Sequence, residues 1–230
     1  MQTSTVQQTT ILRKQFTLKR PDWFVSKIIQ LVIFVRDVST SMRGSKGKEA
    51  EEATEALVAE ISSQQNNGMF LVSIVDFSDS ARLVHDPTPA NQLAGHIKPM
   101  RIGGGTNVTS GLEIALSTLK SQGNIVEANV KRLKPVVITT SDGGHNIGPA
   151  SELIDIAGSV KAIADHVTVG FGDDSDDKML KTLATSPQHF YKIRESGKEL
   201  RMFLAELGQI LSSTMSQGMN ATVALTQVQR

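Results

Sequence analysis

Leu31-Val32-Ile33-Phe34-Val35-Arg36-Asp37-Val38-Ser39-Thr40-Ser41-Met42 is the stretch from which the fold can be read. Leu31 to Val35 is almost unbroken apolar sequence, with the length and β-branched content of a strand buried on both faces. It empties into Asp-x-Ser-x-Ser, so a carboxylate and two hydroxyls leave the sheet together. Hard oxygens on a strand-to-helix turn suit Mg²⁺, which takes six oxygen ligands and keeps positions open for a partner. The same residues can cap a helix, because Ser and Asp accept bonds from the free amides of its first turn. Alone, the motif supports either reading.

Working outward, apolar runs alternate with amphipathic stretches. Lys48 to Gln65 carries Ala53, Leu57 and Ile61 at helical spacing, with Gly68 as a stop signal. Phe70 to Phe77 reads as a strand, and Ala81 to Val84 is predicted to pair back on it across the polar turn Ser78 to Ser80. Val108 to Leu119 is helical, with Leu112, Ala115, Leu116 and Leu119 on one face. Val136 to Thr140 is a second buried strand. A helix over Ser151 to Ala164, a strand over His166 to Gly170, a short helix over Asp177 to Ala184 and a strand over His189 to Ile193 follow. Lys198 to Met215 closes the pattern as a helix. This order predicts an α/β fold, Rossmann-like and doubly wound. Its central sheet is mostly parallel with one antiparallel edge strand, and helices cover both faces.

Residues 29–215 form the predicted domain. Before it, residues 1–28 are an N-terminal extension: a polar Gln- and Thr-rich start, then Phe16, Leu18, Trp23, Phe24 and Val25 around Pro21. That second part is too apolar for a free tail and is expected to pack on the domain as an extra strand, with packing on a partner as the alternative. Residues 216–230 read as a polar, frayed C-terminal tail.

The 230 residues are 39% hydrophobic and 20% charged, ordinary values for a globular chain. A net charge of +1 offers no field for nucleic acid or an anionic membrane. The basic clusters Arg13-Lys14, Lys19-Arg20 and Lys131-Arg132-Leu133-Lys134 lack interleaved aromatics and read as solvated faces. No cysteine is present, which excludes disulfides, thiolate zinc sites and thiol catalysis. The start has neither the charged head nor the apolar core of a signal peptide, and no apolar run suits a membrane helix. A soluble, cytoplasmic protein is the expectation. The five histidines, His85, His96, His145, His166 and His189, show no metal-ligand spacing.

Ligands of doubly wound sheets bind beyond the carboxyl ends of the strands, where strand order reverses. Three segments can meet there: Asp37 to Ser41, Gly103-Gly104-Gly105-Thr106-Asn107, and Ser141-Asp142-Gly143-Gly144. Together they bring enough hydroxyls and carboxylates for one hexacoordinate Mg²⁺ with waters between.

These residues, in this order, resemble the von Willebrand factor A (VWA) domain and its metal-ion-dependent adhesion site, in the manner of intracellular bacterial members. The family places Asp-x-Ser-x-Ser after the first strand, a Thr in a Gly-rich middle loop and an Asp-Gly after the fourth strand. Asp37, Ser39, Ser41, Thr106 and Asp142 fill those positions, and Val75 to Ala81 looks like the family's second strand and hairpin. The resemblance implies that Ser39, Ser41 and Thr106 bind the ion directly, with Asp37 and Asp142 acting through waters or exchanging inward. It implies Mg²⁺, with Mn²⁺ or Ca²⁺ as substitutes, and a partner protein whose Asp or Glu completes the octahedron. Thr40, Met42, Gly105, Asn107, Gly143 and His145 would form the rim the partner touches. A role beside ATPases, kinases or stress-response proteins, without catalysis, is also implied. Arg36 departs from the pattern, and a bond to a neighbouring loop is its expected use.

The enzyme rival is a haloacid-dehalogenase-like phosphatase. Asp37, Thr140 and the cluster Gly172-Asp173-Asp174-Ser175-Asp176-Asp177 imitate its motifs, with Lys161 upstream. That chemistry needs a second Asp two residues after the nucleophile as general acid and base. Ser39 stands there and cannot shuttle the proton, so the acidic cluster reads as a solvated loop. A scaffold whose metal only tightens its loops is the remaining alternative. No Gly-x-Ser-x-Gly elbow or Walker loop is present.

Overall fold

The computed structural model describes residues 27–125, 127–194 and 197–228. The elements follow as β1 (Lys27–Asp37), α1 (Ser45–Ile61), β2 (Phe70–Phe77), β3 (Ala81–Pro89), α2 (Ala90–Leu93) and α3 (Val108–Gly123). Then come β4 (Val130–Arg132), β5 (Val136–Ser141), α4 (Ala150–Ile163), β6 (Asp165–Phe171), α5 (Asp177–Leu183), β7 (Phe190–Ile193) and α6 (Gly197–Ser216). The strands form one sheet in the order β3-β2-β1-β5-β6-β7, with β4 beside the start of β1. All pairs are parallel except β2–β3, the predicted antiparallel edge.

Period-two alternation explains why β1 must be apolar throughout. Val32 and Phe34 face one layer, where Leu57, Ile61, Leu204, Leu207 and Leu211 from α1 and α6 cover the sheet. Leu31, Ile33 and Val35 face the other, against Leu112, Ala115, Leu153 and Val160 from α3 and α4. Gly111 lets α3 lie directly on the sheet; a Cβ there would stand 2.9 Å from the Val35 side chain.

Two features depart from the sequence reading. The short strand β4 falls in the cluster read as a solvated basic face, and those cations have structural partners. Lys131 donates to the Gly218 carbonyl at 2.7 Å, and Lys134 pairs with the buried Asp165 at 2.6 Å. The second departure is residues 217–228, predicted to fray. Ala221, Leu225 and Val228 are buried in the core. Their i, i+4, i+7 spacing is that of one helical face. Two polar residues of the segment bond back to the domain: Asn220 accepts from the Lys134 amide, and Thr222 donates to Asp165 at 2.6 Å. The predicted strand before residue 27 lies outside the described residues.

Candidate metal centre

Strand order reverses at β1, with β2 on one side and β5 on the other. The carboxyl ends of β1 and β5 therefore bring Asp37 and Asp142 to one crevice. Asp37 is fully buried, and both its oxygens are engaged. Oδ1 accepts from the Ser39 amide at 2.8 Å and Oδ2 from the Ser141 hydroxyl at 2.5 Å. Burial pushes the Asp37 carboxyl up, the bonds from Ser141 and Ser39 pull it back, and the nearby Asp142 charge raises it further.

Past Asp37 the chain makes a single turn, Thr40 to Met42, before α1. That turn aims the Ser39 and Ser41 hydroxyls at each other, 2.9 Å apart, and Ser41 donates to Asp142 Oδ1 at 2.6 Å. The second oxygen of Asp142 accepts from Lys46 Nζ at 2.7 Å. No helix amide is capped by these side chains. The helix-cap alternative for the motif is thereby removed.

The Gly-rich loop is bound from several sides. The Gly103 amide donates to the Val38 carbonyl at 2.8 Å, and the Thr40 amide and hydroxyl both reach the Gly104 carbonyl at 3.0 Å. Gly104 is left-handed at φ +85°, and a Cβ would lie 2.5 Å from an Asp79 oxygen. Asp79 in turn accepts from the Gly105 amide at 2.7 Å. Thr106 follows, almost wholly buried. Its amide donates to the Asn146 side chain at 2.8 Å and its carbonyl accepts from the Asn146 amide at 3.0 Å. Among the described residues no hydrogen bond joins its hydroxyl to the Ser39–Ser41–Asp142 chain.

Thr40 and Ser41 are exposed, and Gly105, Asn107, Gly143 and His145 are half-buried around the crevice. Met42 is not on this rim. It is 1% exposed and packs in the core beneath α1, because the turn after Ser41 swings its side chain inward. Asn107 caps α3 through the Ser110 amide, and His145 Nδ1 accepts from the Val108 amide at 3.3 Å. Burial lowers the His145 imidazole below its ordinary value. Arg36 is fully buried between Asp76 at 2.8 Å and the Lys98 carbonyl at 3.4 Å. It ties β2 to the segment leading into the Gly-rich loop, the loop contact expected of it.

Lys46, Asp79 and the grip of Asn146 on Thr106 escaped the sequence reading. The sequence pattern starts this helix at Lys48, but α1 begins at Ser45, which puts Lys46 in its first turn, where the helix dipole disfavours a cation.

The donor set fits a small hard cation. Among the described residues no group of three or more His, Cys, Asp or Glu side chains is assembled for a metal. The donors are instead hydroxyls backed by two carboxylates. Oxygens bound to Mg²⁺ at about 2.1 Å lie about 3 Å apart along an octahedral edge. Ser39, Ser41 and Asp142 already stand at nearly that separation.

The family model for the von Willebrand factor type A domain matches residues 32–206. The chain belongs to that family. Its members are typically metal-dependent protein-interaction modules. Inter-alpha-trypsin inhibitor heavy chain H2 of Mesocricetus auratus is 27% identical over 186 residues, covering 75% of this chain and 19% of that protein. This chain thus spans about a fifth of the length of that relative. A von Willebrand factor type A structure from Catenulispora acidiphila superposes with a TM-score of 0.64 at 18% identity, covering 78% of this chain and 42% of its own. Proximal thread matrix protein 1 from the mussel byssus, with a zinc-occupied metal-ion-dependent adhesion site, gives 0.65 at 18% identity, covering 81% and 48%. At those identities the structures establish the shared fold. No helix among the described residues is long and apolar enough to cross a membrane.

Proposed function

We propose that this VWA domain is a non-enzymatic, Mg²⁺-dependent protein-binding module that captures an acidic side chain of a partner. The observation that carries the reading is the chain of oxygens Ser39–Ser41–Asp142 at 2.9 and 2.6 Å, closed behind by buried Asp37. Ser39, Ser41 and Thr106 would hold the ion directly, with Asp37 and Asp142 behind them; Mn²⁺ or Ca²⁺ could substitute. The ion supplies an electrophilic position that a carboxylate from outside can fill. The protein's own part is to fix the hydroxyls and to leave Ser41 and Thr40 open to solvent at the rim. Gly105, Gly143 and His145 complete that rim.

A phosphatase is disfavoured on two observations. Ser39 offers no general base beside Asp37, and Lys161 donates to the Thr182 carbonyl at 2.9 Å at the end of α4. A cytoplasmic setting, in a multi-protein system of the ATPase, kinase or stress-response kind, belongs to this reading through the family resemblance alone. A pull-down from the native host, with Mg²⁺ and with EDTA, tests the reading. Capture that requires Mg²⁺ and disappears in Thr106→Ala is expected. Capture unchanged by EDTA would leave only a scaffold with a structural ion.

A further inference from the structure

We propose that Lys46 is the resident counter-cation of the metal centre, weakening its hold on the ion and strengthening the ion's hold on the partner's carboxylate. The inference rests on the metal reading above. Lys46 Nζ lies 2.7 Å from Asp142 Oδ2, and the Asp142 side chain is fully buried while that of Lys46 is 30% exposed. The lysine sits at the positive end of α1, where the dipole opposes it, so the carboxylate is what holds it there. Its side chain passes over Gly172, where a Cβ would stand 3.4 Å from Nζ. Asp174 lies 3.9 Å away but is 88% exposed, and adds little through solvent.

The consequence is one of charge. Counted at their formal charges, Asp37, Asp142 and Lys46 together carry a single net negative charge. A divalent ion turns that into a single net positive charge. Without the ammonium the loaded site would be neutral and would have less attraction for an incoming carboxylate. Lys46 therefore acts in opposite directions on two binding steps. It repels the metal, and it leaves the loaded metal short of negative charge. Before loading it also occupies the Asp142 oxygen, so the buried carboxylate is never left alone.

Mn²⁺ affinity measured by electron paramagnetic resonance on the full chain, with acetate then titrated into the loaded protein, separates the steps. Removing one unit charge this close to a divalent ion is worth about tenfold or more. Lys46→Gln should therefore bind Mn²⁺ at least about tenfold more tightly and acetate severalfold more weakly, while Lys46→Arg stays near wild type. In EDTA, Lys46→Gln should melt below wild type and regain the difference on adding Mn²⁺. Lys46→Met, which keeps the methylene packing, repeats the test if the glutamine variant folds poorly. Mn²⁺ affinity unchanged or weakened in both variants, beside normal loading of wild type, overturns the role of Lys46 alone. A wild-type chain that binds no Mn²⁺ overturns the metal reading and this inference with it.

Discussion

The two ends of the sheet carry the same ion pair with different surroundings. At the carboxyl end Lys46 meets Asp142 at 2.7 Å; at the opposite end Lys134 meets Asp165 at 2.6 Å. In both pairs the carboxylate is fully buried and the lysine side chain is 30% exposed. At the Asp165 end a single carboxylate faces a single ammonium. Its other oxygen is taken by Thr222, and residues 217–228 close over it. That end is neutral, saturated and covered. At the Asp142 end a second carboxylate, Asp37, shares the crevice, and Ser41, bonded to Asp142, is an exposed residue. A lysine beside a buried aspartate is therefore not what marks a site. The marks are the second buried carboxylate and the exposure of Thr40 and Ser41 beside it.

The widest separation between the ends comes from removing each aspartate. Asp142→Ala is expected to abolish Mg²⁺ binding while leaving the circular dichroism spectrum intact. Asp165→Ala should keep the metal centre but strand Lys134 and loosen the C-terminal segment. Breaking a buried pair this way costs about 3–5 kcal/mol, readable by urea unfolding.

A pH effect of similar size belongs to the closed end. His166, next to Asp165, is fully buried and bonded to Thr139 at 2.8 Å, and burial lowers its imidazole to about 4. The unfolded chain takes up this proton near pH 6.5, whereas the native state resists it until about pH 4. The contribution of His166 to stability should therefore fall by about 3 kcal/mol as pH drops through that window, and be constant above it. His166→Gln should flatten that part of the curve; an unchanged slope would assign it to other groups.

Next in size, Leu225→Ala should cost about 2–3 kcal/mol by leaving a cavity under the C-terminal segment, with Mg²⁺ affinity unmoved. Gly104→Ala is the counterpart at the open end. A side chain at φ +85°, driven against Asp79, should cost about 1–2 kcal/mol and weaken Mg²⁺ binding by disturbing Thr106. Equal effects of both variants on the metal would erase the distinction between the ends.

The open end was largely legible in the sequence because its donors sit in fixed positions on three loops that a doubly wound order must bring together. Asp37, Ser39, Ser41 and Asp142 do meet, within hydrogen-bond reach of one another or of a shared neighbour. Lys46 was not legible as a partner, since nothing local ties a lysine in one helix to an aspartate after a later strand. Met42 misled, because adjacency to Ser41 suggested the rim while the turn sends its side chain into the core. The closed end was read as a frayed tail. Its three buried apolar residues are spaced among polar ones, and the bonds of Asn220 and Thr222 that tie the segment down reach residues far away in sequence, so composition alone points to solvent.

Mg²⁺ bound per chain, measured by equilibrium dialysis of chelator-stripped protein, tests the difference between the ends most directly. Wild type and Asp165→Ala should each retain one ion, and Asp37→Ala and Asp142→Ala none. An ion retained by Asp142→Ala, or no ion on the wild-type chain, would contradict it.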